Sequence, residues 1–254
     1  ALHIHRGRIH NNRNLQRPMQ LHTIVASLFF LFAMPHPTLK IDFVSDVSCP
    51  WCVIGLKALE QAAQRLKDEL TISVHFQPFE LNPQMTPEGQ DIGEHLFQKY
   101  GASPEQRKVT RDAIAARGAE LGFIFGEGKR SRVYNTFDAH RLLHWAEEGG
   151  PGLQLALKHA LFTAYFTDGD NPSDHEVLVR AAVGVGLNGD EARAVLASDR
   201  YATEVREREQ LYLQNGIHSV PAVIVNDRHL IQGGQPVEVF EQALRQIANE
   251  ARTT

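Results

Sequence analysis

Cys49-Pro50-Trp51-Cys52 contains both cysteines of this 254-residue chain, and it stands between a strand-like run and a helical pattern. Ahead of it, Leu39, Ile41, Phe43 and Val44 among polar neighbours read as a strand that runs up to Ser45-Asp46-Val47-Ser48. Behind it, Leu56, Leu59, Ala63 and Leu66 recur at steps of three and four, which is one face of a helix ending near Lys67. Thr71-Ile72-Ser73-Val74-His75-Phe76 then alternates as a second strand. The result is a strand, helix, strand unit, and its short spacing predicts parallel pairing through a right-handed crossover.

Two cysteines three positions apart share a face of a first helical turn, so their sulfurs can bridge. The pattern makes Cys49 the cap and Pro50 the first helical residue, where a missing N–H costs nothing. Unpaired N–H groups and the helix dipole favour an anion at that place. Hence Cys49 is expected to attack or be attacked, and Cys52, one turn further in and more buried, to resolve the mixed disulfide. A bridge over two residues closes too small a loop to stabilise the fold by much. A structural zinc site would want a second cysteine pair, and a cysteine hydrolase leaves Cys52 without a duty. Inert core cysteines do not ordinarily open a helix behind a strand.

The rest of the chain frames the pair. Thirty acidic against 26 basic residues, with no basic cluster in the body, exclude the footprint of a nucleic-acid binder. Residues 1–33 differ from the body of the chain: Arg6, Arg8, Arg13 and Arg17 precede an apolar run from Ile24 to Ala33, and no acidic residue occurs before Asp42. Three readings stay open: an extension outside the natural fold with Met34 as its start, an export segment with a poor cleavage site, or an amphipathic arm. The run is too short for the ~20 residues of a membrane span.

After Pro78, Pro83 and Pro87 the texture is helical from about Ile92 to Gln214. The expected segments are 94–100, 104–121, 137–147, 153–166, 173–185 and 189–215, with Ser103-Pro104 as one start and Ser173 with Glu176 as a capping box at another. Val220-Pro221 then precedes Ala222-Val223-Ile224-Val225, a turn at Asn226-Asp227, and His229-Leu230-Ile231, which read as a hairpin. Pro236 opens a last helix with Val237, Phe240, Leu244 and Ile247 on its apolar face. The economical fold is α/β: residues 39–83 and 216–250 make one sheet from both ends, and 84–215 are a helical insertion whose last helix packs on that sheet.

Other motifs read as ordinary structure. His140 and His144 lie one helical turn apart but lack the glutamate of a zinc peptidase, so no metal is expected. Gly122 to Arg130 fails as a phosphate loop, because the first glycine is misplaced and Arg130 stands at the hydroxyl position. The run Glu204 to Glu209 reads as a solvated helix face.

A strand, a Cys-Pro-aromatic-Cys helix, a helical insertion, then Val-Pro before a hairpin and a last helix look like the DsbA family of the thioredoxin superfamily. The phrases Cys49-Pro50-Trp51-Cys52-Val53-Ile54-Gly55, Pro78-Phe79-Glu80-Leu81-Asn82-Pro83, Asn135-Thr136-Phe137-Asp138-Ala139-His140-Arg141-Leu142 and Gly216-Ile217-His218-Ser219-Val220-Pro221 resemble its FrnE-like branch. The likeness covers Leu39 to Ile247. It implies a thioredoxin-like fold and a Cys49–Cys52 redox pair tuned by Pro50 and Trp51. It also implies a cis bond at Val220-Pro221 facing Cys49, with the Val220 backbone taking an extended substrate. Asn135 and His140 fall in a family phrase without an assigned role. Protein or small-molecule disulfides and thiols are then the partners, glutathione is an available reductant, no other cofactor is needed, and the branch points to the cytoplasm. A neighbouring branch, the kappa-class glutathione transferases and hydroxychromene carboxylate isomerases, usually has serine in place of Cys49 and a Ser-Asp pair where this chain has Gly234-Gln235. A third reading is a chaperone-like binding module that holds unfolded chains without catalysis. Oligomeric state and direction of electron flow are not legible.

Overall fold

The computed structural model describes residues 36–253, so all three readings of the extension at 1–33 fall outside the described residues. Strand β1 (Thr38–Ser45) turns into helix α1 (Pro50–Arg65), and β2 (Thr71–Pro78) returns beside β1. The two strands are parallel, with Phe43 opposite Phe76. From the far end of the chain, β5 (Ala222–Val225) and β6 (His229–Gln232) add a hairpin, β5 running antiparallel to β1 with Val223 opposite Phe43. The sheet order is β2-β1-β5-β6. The hairpin turn uses Asn226 and Asp227 at φ 52° and 56°, a left-handed conformation that these two residue types tolerate well.

The pleat of β1 decides the layering. Leu39, Ile41 and Phe43 face α1 and the last helix, α9 (Val237–Thr253), whose Phe240 and Leu244 close the main core. Val44 points the other way and meets Phe79, Tyr212 and Ala222. Each fully buried leucine, isoleucine or phenylalanine contributes about 1.5–3 kcal/mol, so the alternation fixes both the register and the order of layers.

Between the two halves lie helices α2 (Ile92–Tyr100), α3 (Pro104–Glu120), α4 (Phe137–Glu148), α5 (Leu153–Phe162), α6 (His175–Gly184), α7 (Gly189–Leu196) and α8 (Ala202–Gln214). Tyr212 of α8 belongs to the apolar cluster on the second face of the sheet. Ala139, Leu142, Leu157, Leu161, Leu178 and Val195 form a second core, and Val47, from the turn before Cys49, is buried in it. The cysteine-bearing turn is thus pinned to the helical block as well as to the sheet.

Several local expectations need correction. Two short strands, β3 (Gln90–Asp91) and β4 (Arg132–Val133), pair antiparallel inside the insertion where none was expected. The segment expected over 153–166 is α-helical only to Phe162 and widens into a π-type turn over Thr163–Asp168. Asp174, not Ser173, caps α6 by accepting from the backbone N–H of Glu176 and Val177. The Ser173 hydroxyl instead donates to the Asn135 carbonyl at 2.7 Å. The single helix expected over 189–215 is two, because the guanidinium of Arg141 takes the carbonyls of Val195, Ser198 and Arg200 and so ends α7. Tyr201 adopts φ 64° before α8 resumes. Ser103 is the cap of α3 as expected, and it also forms a capping box with Gln106.

Candidate active site

Strand β1 ends in a tight turn: the Cys49 N–H donates to the Asp46 carbonyl at 3.2 Å, and Cys49 becomes the N-cap of α1 with extended backbone. Pro50 occupies the first helical turn, so the cap needs no donor there. Both thiols are free and buried, Cys49 at 4% exposure and Cys52 at 0%. The difference in burial is therefore small, and Trp51, 43% exposed, is the most exposed member of the motif, with Pro50 half-buried beside it. Burial pushes the Cys52 thiol up, and the neighbouring Cys49 sulfur pushes it further.

The loop Val220-Pro221 faces this turn. Its peptide bond is cis, and the Cys49 thiol lies 3.7 Å from the Val220 carbonyl oxygen. Gly55 permits that approach: a Cβ there would sit 3.0 Å from the Pro221 ring. Cys49, Cys52, Val220 and Pro221 are thus brought together from residues about 170 positions apart in the chain, as the Cys49 contact across 171 positions records.

Beneath the turn is a polar network. The Asp46 carboxylate accepts from the backbone N–H of Ser48 at 3.0 Å and of Leu81 at 2.7 Å. His140 on α4 places its Nε2 3.8 Å from Asp46, an ion-pair distance in a site where both side chains are buried. Burial disfavours the Asp46 charge, but His140 and the two backbone donors outweigh it and hold the carboxyl below the usual range. Asn135 donates to the buried Glu80 at 3.2 Å and accepts from the Phe137 N–H at 2.8 Å, so it starts α4 and ties it to the loop after β2. Arg206 on α8 pairs with Glu80 and, at 2.8 Å, with Glu209. The run Glu204 to Glu209 is therefore not simply a solvated face: Glu209 is buried, and burial raises its carboxyl. His144 does not join His140, since its ring packs 5.1 Å from that of Tyr201.

Asp46, Glu80 and Arg206 were missed as site residues. Asp46 had a signal, for Asp-Val-Ser before a helix is the spacing at which an aspartate side chain bonds its own backbone two residues on. A further omission is Lys158 on α5, which is fully buried. Its Nζ lies 5.0 Å and 5.7 Å from the ring centres of Phe162 and Phe76 and has no hydrogen-bond partner. Tyr100 on α2 is exposed, and Lys99 beside it donates to the Leu81 carbonyl at 2.9 Å.

A four-stranded sheet with helices on both faces, a helical insertion and a Cys-x-x-Cys helix start opposite a cis-proline loop define a thioredoxin-like protein of DsbA type. The chain belongs to the DSBA-like thioredoxin domain family, whose pattern it matches over residues 40–245. It is similar to a solved structure described as a probable DsbA oxidoreductase from Streptomyces coelicolor. The identity there is 37%, the TM-score is 0.75, and 82% of this chain and 89% of that one are covered. An uncharacterized protein of Bacillus subtilis, YwbO, is 27% identical over 208 residues, 82% of this chain and 96% of its own length. The cytosolic disulfide reductase DsbM of Pseudomonas aeruginosa, solved with GSH, shares the fold at 19% identity and TM-score 0.57, covering 83% of this chain and 99% of that one.

Proposed function

We propose that this protein is a thiol-disulfide oxidoreductase or disulfide isomerase working through a mixed disulfide on Cys49. The observation that carries the reading is the Cys49 thiol at the start of α1, 3.7 Å from the Val220 carbonyl, with Cys52 one turn inside. The Cys49 sulfur, as thiolate, attacks one sulfur of a substrate disulfide, and the other sulfur leaves as a thiolate that takes a proton from water. The Cys52 sulfur then attacks Cys49, closes the Cys49–Cys52 disulfide and releases the second substrate thiol. Run in reverse, the same two exchanges donate a disulfide to a substrate dithiol. Pro50 and Trp51, the two residues between the cysteines, tune the pair. The Val220 backbone and Pro221 hold an extended substrate strand against the cysteines.

Substrates on this reading are protein or small-molecule disulfides, and glutathione serves as a reductant in the cytoplasm. Direction depends on the potential of the pair relative to its compartment. The reading is tested by insulin reduction and by refolding of scrambled protein: wild type is active, and Cys49→Ser loses both activities. Undiminished turnover by Cys49→Ser would end it.

A further inference from the structure

Among the described residues, Lys158 is the only lysine or arginine with a buried side-chain nitrogen that lacks a hydrogen-bond partner. A lysine stem can usually carry its ammonium to water, but this one is held inside. Its helix is clamped one turn earlier, where Gln154 accepts from the Phe76 N–H at 2.9 Å and donates to the Phe76 and Leu143 carbonyls at 3.3 Å and 3.2 Å. The ammonium therefore stays against Phe76 and Phe162, rings that belong to the same apolar core as Cys49 and Cys52. Two cation–π contacts return only part of what burying a charge costs. In a low-dielectric core such a charge acts over several ångströms, and the thiols of Cys49 and Cys52 are buried in the same core as the two rings that hold it. Asp46 already has two backbone donors and His140, which leaves the cysteine pair as the anion in need of a cation.

We propose that Lys158 is a positioning residue for the resolving step, its enclosed ammonium stabilising the Cys52 thiolate as it forms and, through the charge of the reduced pair, setting the redox poise. The assignment rests on the oxidoreductase reading. In the mixed disulfide, Cys52 must ionise inside the core before its sulfur can attack Cys49. As the Cys49–Cys52 bond forms, the bond from Cys49 to the substrate sulfur breaks, and the proton that Cys52 gave up ends on the departing sulfur, so charge and electrons balance. In the reduced protein burial keeps Cys52 protonated, and the anion that the ammonium faces is the attacking Cys49 thiolate of the proposed mechanism; in the disulfide form neither sulfur carries a charge, and the reduced form is favoured by that difference. Burial pulls the Lys158 ammonium down to about 8, with Cys52 as the first of the charges opposing the fall, in keeping with a cation matched to a thiolate.

The test compares wild type with Lys158→Met and Lys158→Gln, the second retained in case the first does not fold. Glutathione disulfide loads Cys49, and rapid quenching with mass spectrometry follows loading and resolution separately. Both variants should resolve the adduct about tenfold more slowly, equivalent to about one unit in Cys52 ionisation, while loading changes by less. Their equilibrium with glutathione should shift about tenfold towards the disulfide. A lysine that only filled space would leave that equilibrium where it was. Folded variants with wild-type resolution rate and equilibrium overturn the role of Lys158 and leave the oxidoreductase reading standing. A wild type that forms no adduct with glutathione disulfide overturns the reading of function, and this assignment with it.

Discussion

Two buried charges serve the cysteine-bearing turn, and their surroundings are opposite. Asp46 has backbone donors on two sides and a histidine behind it, whereas Lys158 has two aromatic faces and no hydrogen-bond partner. A buried charge with full partners stabilises one arrangement of the chain, because removing it strands every group that pointed at it. A buried charge without partners stabilises nothing in the resting fold and has to be accounted for by what it does during a reaction. Asp46 is thus an architectural ion joining β1, the loop after β2 and α4, and Lys158 is the counterpart we assign to the chemistry.

The sharpest break of this contrast is Asp46→Ala. It strands the N–H groups of Ser48 and Leu81 beside His140, and unfolding by denaturant should show a loss of about 3–5 kcal/mol. Because the Asp46 carboxyl is lowered in the fold, its contribution is complete above the ordinary carboxylate value and fades as pH falls through its folded value. Wild type should lose its advantage over the variant only in strong acid.

Lys158→Met should move stability the other way, by about 2–3 kcal/mol near neutral pH once the lost cation–π contacts are allowed for. Its pH dependence has a defined sign. From about 8, the folded value, up to 10.5, the ordinary one, the unfolded lysine binds more protons than the folded one, so the lysine's penalty shrinks as pH rises. The Cys52 thiol, pushed up by burial, adds a fall in stability with alkaline pH that both proteins share. The gap between variant and wild type should therefore be widest below pH 8 and close towards 10.5. A gap independent of pH would contradict the assignment of an enclosed ammonium.

Arg206→Met tests the outer part of the network. It leaves buried Glu80 with Asn135 alone, and about 2 kcal/mol should be lost, read from the same denaturation curves. Asn135→Ala removes one bond to Glu80 and one to the start of α4, and should cost about 1 kcal/mol with insulin reduction largely preserved. A collapse of activity there would mean that Asn135 does more than hold α4 in place.

The sheet was legible because its strands alternate and its helices carry one apolar face: Leu39, Ile41 and Phe43 on one side, Val237, Phe240 and Leu244 on the other, meet in one core. The position of Cys49 and Cys52 at the start of a helix was legible because cysteines are few and a proline follows the first of them. The polar network was not, since Glu80 and Arg206 are 126 positions apart and each alone looks like surface charge. Lys158 left a faint trace: with Gln154, Leu157 and Leu161 it falls on a single helical face, so a charge stood on an apolar stripe. The break between α7 and α8 was illegible for a similar reason, because Arg141 ends a helix more than 50 positions away, as its contact with the Val195 carbonyl across 54 positions shows.

The division of labour proposed for the pair is that Cys49 receives the substrate and Cys52 resolves it. Incubating Cys52→Ser and Cys49→Ser with a scrambled disulfide protein and mapping the trapped adducts by mass spectrometry tests it most directly. A stable mixed disulfide on Cys49 is expected in Cys52→Ser, and essentially none in Cys49→Ser. An adduct on Cys52 of equal yield, or no adduct on Cys49, would contradict that division.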